Sequence, residues 1–347
     1  MQTRESSMQN RLKAALAATC IAGLVSAASA VNAAEVNVYS YRQPELVNPL
    51  FDAFTKATGI KVNVTFLQKG LVEKLVAEGD RSPADLVMTV DIARLTAIDE
   101  AGVTQPVSSD ILNANIPAEY RDPDNHWFGL TSRARVVFAS KDRVKPGEIK
   151  TYEDLADPKW KGRVCIRAGT HPYNLALFSS VIVHHGEEGA KTWLEGLKAN
   201  LAHKPQGNDR GQIKSVWSGE CDLAIANTYY MGEMLKDPEQ AVWANAVNVV
   251  FPAFEGGGTH VNLSGMAMTK AAPHHADALK LMEFLSSPEA QEIYAETNFE
   301  YPLLPGAKVS DVVASWGSFT PDNISLMDIA HHRADALRLV EEVKFDE

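Results

Sequence analysis

Apolar and polar residues alternate from Val36 to Ser40 and again through Ile60, Val62, Val64 and Phe66, the period of two that marks a strand. Between these stretches Leu46, Val47, Leu50, Phe51, Phe54 and Ala57 recur at helical spacing. Pro44 opens that helix where a missing N–H costs little, and Gly59 closes it. A helical run at residues 71–77 and a third strand at 85–90 complete a β-α-β-α-β order. That order predicts a parallel sheet with right-handed crossovers, with the loop 39–43 at its ligand-binding edge. Residues 127–140 carry a second apolar strand pattern, which predicts a crossing into a second lobe. There, residues 162–167 read as a strand, 168–172 as a turn, and a helix runs from Leu175 towards His184. Residues 223–226 read as a buried strand that delivers Tyr229 and Tyr230 to its C-terminal end. Gly256-Gly257-Gly258 marks a turn, since no Lys-Ser/Thr follows at phosphate-loop spacing. The strand at 261–268 predicts the return to the first lobe, and helices dominate from Ala276, ending in one amphipathic helix over 324–343.

A chain of 347 residues exceeds what one hydrophobic core usually serves. The expected organisation is α/β in two lobes: residues 34–135 with 261–320 form lobe 1, 136–260 form lobe 2, and 321–347 form a C-terminal helix. With 45% hydrophobic and 22% charged residues the composition is that of a globular protein. The net charge of −11 argues against nucleic acid or an anionic membrane surface as partner and favours a cationic ligand. At the N-terminus Arg4, Arg11 and Lys13 precede an apolar, small-residue run from Ala14 to Ala30, with Val31-Asn32-Ala33 as a cleavage site and Ala28-Ser29-Ala30 as its rival. Residues 1–33 thus read as an export signal. Cys20 lies inside it without a lipobox, so the expectation is a soluble periplasmic protein and not a lipoprotein. Export leaves Cys165 and Cys221 in an oxidising compartment, and the even count suggests one disulfide.

Familiar enzyme signatures are missing: there is no Gly-x-Ser-x-Gly, no His-Glu-x-x-His and no dinucleotide fingerprint after the first strand. The pairs His184/His185, His274/His275 and His331/His332 invite a zinc reading, but adjacent helical residues point about 100° apart and read better as solvated surface. The tyrosines differ. Tyr39, Tyr41, Tyr173, Tyr229 and Tyr230 are five of the nine, all at expected strand-to-loop edges. A phenolate is a hard anionic oxygen, and a free Tyr has a pKa near 10, so only a strongly polarising cation ionises it near neutrality. Fe³⁺ is the biologically common ion that does so. Calcium and magnesium take carboxylates and carbonyls, and soft metals take sulfur.

The segments Lys161-Gly162-Arg163-Val164-Cys165-Ile166-Arg167, Tyr173-Asn174 and Gly219 to Tyr230, with its Asn227-Thr228-Tyr229-Tyr230 ending, resemble the periplasmic ferric-ion-binding proteins of ABC transporters. Val38-Tyr39-Ser40-Tyr41-Arg42 and Ser82-Pro83-Ala84-Asp85 match the same family. The resemblance covers essentially the chain after the signal. It implies the type II periplasmic binding protein fold, with two α/β lobes on strand hinges closing on Fe³⁺. Tyr173, Tyr229 and Tyr230 are the implied phenolate ligands, with Tyr41 as a further candidate. Relatives place His or Tyr after the first strand where this chain has Gln43 and Pro44, and the acidic ligand that some carry after the third strand is missing. Carbonate or a similar anion, held by Arg42 or by Arg133, is expected to complete the shell. The implied partners are a permease and its ATPase, the protein itself being a monomer. A binding protein for an organic cation such as a polyamine or thiamine, with tyrosines stacked on the ligand, is the rival reading. An exported enzyme on the same fold is a second rival, without an evident general base.

Overall fold

The computed structural model describes residues 34–347, so the expected signal at 1–33, Cys20 included, lies outside the described residues. The chain begins β1 (Glu35–Ser40), α1 (Pro44–Thr58), β2 (Lys61–Phe66), α2 (Leu71–Glu78), β3 (Leu86–Thr89), α3 (Ile92–Glu100) and α4 (Asp110–Asn115). It continues through β4 (Phe128–Ser140), β5 (Val164–Cys165), α5 (Pro172–Ala199), α6 (Asp209–Ser218), β6 (Leu223–Asn227) and α7 (Tyr229–Lys236). The main elements that follow, besides single helical turns at Ala241–Ala244 and Asp311–Ala314, are β7 (Val247–Val250), β8 (Val261–Met268), α8 (His275–Leu285), α9 (Pro288–Asn298), β9 (Tyr301–Pro302), α10 (Leu326–His331) and α11 (Arg333–Glu342).

Seven strands run in the order β2-β1-β3-β8-β4-β6-β5, and β7 and β9 also pair with β4. β1 pairs parallel with β2 and with β3, as the opening pattern predicts. β8 enters antiparallel between β3 and β4. β4 is the connecting element: residues 128–134 pair with β8, and 135–139 pair with β6. The backbone thus changes sheet partner between Ala134 and Arg135.

Alternation sorts the side chains into layers. Val36, Val38, Leu86 and Met88 face α1 and α8, burying Leu50, Phe54 and Leu281, whereas Tyr39 and Val87 face α3 with Leu95 and Ile98. Beyond the crossing, Val137 and Ile225 pack under α5 with Phe178 and Trp193, and Val136 and Ala224 pack under α6 with Ile213 and Val216. Truncating a buried ring such as Phe54 or Phe178 to Ala would cost about 3–5 kcal/mol.

Four local expectations change. The strand expected at 162–167 shrinks to two residues, because both Arg163 and Val164 N–H groups go to the Asn200 carbonyl and the Asn174 side chain takes the carbonyls of Arg167 and Ala168. The helix expected to end near His184 runs on to Ala199, broken only at Gly186, whose φ of 68° a side-chain-bearing residue rarely adopts. The single last helix is two, parted at His332, whose ψ of 6° leaves the helical range: Leu326 and Ile329 join the core of α3 together with Ala176 at the start of α5, whereas Ala336, Leu339 and Val340 join the separate core under the body of α5. Finally, Tyr229 and Tyr230 start a helix instead of ending a strand. The triple glycine is a turn, with Phe254 N–H bonded to the Gly258 carbonyl. Among the described residues no helix is long and apolar enough to cross a membrane.

Candidate metal centre

The change at Tyr229-Tyr230 matters for chemistry. Consecutive strand residues face opposite sides of a sheet, whereas in the first turn of a helix they lie about 100° apart and can share one space. Here the two rings sit 4.4 Å apart between centroids. Tyr173 arrives from a second helix start, just after Pro172 at the head of α5. Tyr229 Oη donates to Tyr173 Oη at 3.2 Å, and Asn227 Nδ2 donates to Tyr229 Oη at 3.4 Å. Three phenols therefore meet where α5 and α7 begin, and the positive ends of two helix dipoles favour negative charge there.

Arg135 fixes this convergence. Buried at 2% exposure, it donates from Nε to Asn174 Oδ1 at 2.9 Å and from Nη1 to Asn227 Oδ1 at 2.9 Å. Asn174 follows Tyr173 and Asn227 stands two residues before Tyr229, so one guanidinium sets the spacing of the two arms. Its charge is met by Asp209, fully buried in the first turn of α6, which also takes Arg167 Nη1 at 2.9 Å. Neither Arg135 nor Asp209 stands out in the sequence; the one legible hint is that each of the two tyrosine segments carries an Asn within two residues of its tyrosine.

The site is electropositive around weakly acidic phenols. The guanidinium carbons of Arg133, Arg135 and Arg167 lie 5.9, 5.9 and 5.6 Å from the Tyr173 ring centroid. Burial pushes Tyr229 well above the usual tyrosine range, and Tyr173 and Tyr230 push the same way while Arg133 opposes them. Burial and Tyr173 likewise raise Tyr230. His171 caps α5 by accepting Tyr173 N–H at 3.2 Å and sets its ring edge-on to Tyr173; burial, then Arg167 and Arg135, push it down to about 3. Burial likewise pushes His260 down to about 3. Both imidazoles are thus neutral near pH 7.

Arg133 is 3% exposed, its Nη1 has no hydrogen-bond partner, and it forms no ion pair among the described residues. A cavity of about 10 Å³, roughly one water, lies between it, Arg135, Tyr173, Asn227, His260 and Asn262. The structure places Arg42 otherwise: buried, its Nη2 is held by Glu300 at 2.7 Å and Ser264 at 2.5 Å. Gln43 is exposed at the start of α1. Tyr41 takes the Leu71 N–H on its hydroxyl, carries Arg94 over its ring at 4.3 Å, and lines a separate cavity of about 220 Å³ that reaches Pro172. Tyr39 is buried and donates to Glu78.

Cys165 and Cys221 form the expected disulfide, tying β5 to the entry of β6. The histidine pairs are split among separate carboxylates: His184 with Asp322, His185 with Glu153, His274 with Asp85 and His332 with Asp335. No group of three His, Cys, Asp or Glu among the described residues is placed to hold a metal.

Residues 81–319 match the bacterial extracellular solute-binding protein family, and the chain belongs to it. Its fold is that of the two-lobed type II periplasmic binding proteins. Within that class it is 48% identical over 311 residues to iron uptake protein A1 of Synechocystis sp., covering 89% of this chain and 86% of the relative. The apo ferric ion-binding protein A of Pasteurella haemolytica superposes with a TM-score of 0.86 at 51% identity, over 90% of this chain and 98% of the other. A Trichodesmium protein in complex with iron and citrate superposes at 0.85 with 43% identity, over 90% and 99% of the two chains.

Proposed function

We propose that this chain is the periplasmic Fe³⁺-binding component of an ABC iron importer. Tyr173, Tyr229 and Tyr230 hold the ion as phenolates, and the loaded protein delivers it to an inner-membrane permease driven by its ATPase. The observation that carries the reading is the meeting of three phenols, Tyr229 on Tyr173 at 3.2 Å and against Tyr230 at 4.4 Å, at two helix starts. Its support in kind is that the relatives above are named for iron uptake and ferric-ion binding. Lobes at 34–135 with 261–320 and at 136–260 close about β4 and β8, the strands that join the two halves of the sheet.

Three phenolates neutralise Fe³⁺ and leave coordination positions for a small anion. Arg133 is its holder in this reading, because its charge is unpaired and beside Tyr173. Arg42 is second, since Glu300 already balances it. Tyr41 is the reserve ligand from lobe 1. An organic cation fits less well, since Arg133, Arg135 and Arg167 surround the ring on which it would stack. The test is the metal content and visible spectrum of the purified, signal-free monomer after ferric loading. One iron per chain with a red-orange phenolate-to-iron band is expected; a colourless protein holding an organic cation would refute the reading.

A further inference from the structure

We infer that Asp346, seated by Phe345, is a positioning residue for Tyr173. The inference rests on the reading of Tyr173 as an iron ligand. Tyr173 hangs from the turn Ala168-Gly169-Thr170-His171-Pro172, which is gripped on two sides. On one, Asn174 Nδ2 donates to the carbonyls of Arg167 and Ala168, both at 2.9 Å. On the other, a single carboxylate 177 residues beyond Gly169 takes three donors of the turn. Asp346 accepts Gly169 N–H at 2.5 Å, Thr170 N–H at 3.2 Å and the Thr170 hydroxyl at 3.1 Å.

That carboxylate is itself held in place. Lys344 takes a left-handed φ of 52°, which turns the chain back after α11, and Phe345 N–H closes on the Val340 carbonyl at 2.9 Å. The Phe345 ring is fully buried and lies edge-on to Phe178 of α5, with centroids 5.6 Å apart. Lys198 Nζ, also on α5, holds the carbonyls of Val343 at 3.0 Å and Lys344 at 2.5 Å. Gly169 is the point of closest approach, since a Cβ there would stand 2.7 Å from Phe345 Cδ1. The strap is therefore anchored on the same helix that carries Tyr173 in its first turn, and it spans from the body of α5 back to the turn feeding its first residues. Metal–ligand distances hold within about 0.2 Å, so a turn freed to shift by more than that degrades the bond it presents.

The test uses the full mature chain with Asp346→Ala, Asp346→Asn and Tyr173→Phe. Asp346→Ala should release ferric iron to a competing chelator about tenfold faster, at the low end of what supporting residues contribute to metal sites. It should also shift the charge-transfer band and speed amide exchange over residues 168–174, while the apo protein melts within a few degrees of the parent. Asp346→Asn keeps one acceptor oxygen and should recover part of each effect. An Asp346→Ala protein with the parent's band and release rate overturns the inference. If Tyr173→Phe also keeps the parent's band, the ligand assignment itself has failed and the inference falls with it; if Tyr173→Phe loses the band, only the strap's role has failed.

Discussion

Replacing Arg133 by Met separates two ways in which a buried cation could serve this site. The guanidinium carbon stands 5.9 Å from the centre of the Tyr173 ring, and Nη1 has no hydrogen-bond partner among the described residues. At that distance one unit charge is worth roughly 3 kcal/mol at an effective dielectric constant of about 20, or about a hundredfold in affinity. Against Fe³⁺ with three phenolates, however, Arg133 sees a group of zero net charge, and its attractions and repulsions cancel to first order. The full effect returns only when an anion makes the complex net negative. Met keeps most of the side chain's length and removes the charge. The loss of an unpaired buried cation should leave the apo protein at least as stable as the parent. The assay is ferric titration against a competing chelator at fixed pH, in carbon-dioxide-free buffer and again with bicarbonate. The parent should bind about a hundredfold more tightly with bicarbonate, and Arg133→Met should bind at the lower level in both. Equal bicarbonate responses in parent and variant would refute the assignment of the anion to Arg133, and a parent indifferent to bicarbonate would refute the anion altogether.

Arg42→Gln should act on stability first: it strands the Glu300 carboxylate, 1% exposed, at a cost of about 3–5 kcal/mol in a denaturant titration of the apo protein, and Glu300→Gln on top should recover most of it. Iron affinity should fall as pH falls, because burial raises Tyr229 and Tyr230 and keeps both protonated through the neutral range, so the ion must expel their protons; three phenols set an upper limit of roughly a thousandfold per pH unit, read by chelator competition between pH 6 and 8. A pH-independent affinity would exclude phenolate ligation. Reducing the Cys165–Cys221 bond, which spans 56 residues, should destabilise the protein by about 4 kcal/mol, and the unreduced, denatured mature chain should show no titratable thiol.

Much of this was legible where period and chemistry agree. The opening strands and helix are written in alternation and in the Pro44 and Gly59 signals, and the disulfide joins the two cysteines that lie beyond the expected signal. Tyr173, Tyr229 and Tyr230 are marked by residue type and by their family-like surroundings. What escaped the sequence depends on long-range partners. Arg42 and Arg133 look alike in the chain, and only Glu300, 258 residues from Arg42, neutralises one of them while the other stays unpaired. Arg135 lies within a run that reads as plain apolar strand, and its role exists only because Asn174 and Asn227 come within reach of one guanidinium. The Tyr-Tyr pair reads as a strand end because Leu223 to Ala226 is apolar almost up to it. The helix begins one residue after Thr228, a boundary that no side-chain cap announces. The last helix divides because its two halves serve different cores, which its own amphipathic pattern does not reveal.

The central claim is that the three phenols that meet at the starts of α5 and α7 bind ferric iron as phenolates. The most direct measurement is a ferric titration of Tyr229→Phe beside the parent, followed at the charge-transfer band with iron counted per chain. Tyr229 hydrogen-bonds Tyr173 and lies with its ring tilted against Tyr230, and Phe removes only its oxygen. The account predicts one iron and a full red-orange band in the parent, with a bleached or displaced band and incomplete loading in a variant that melts normally. The same band and the same stoichiometry in both proteins would contradict it.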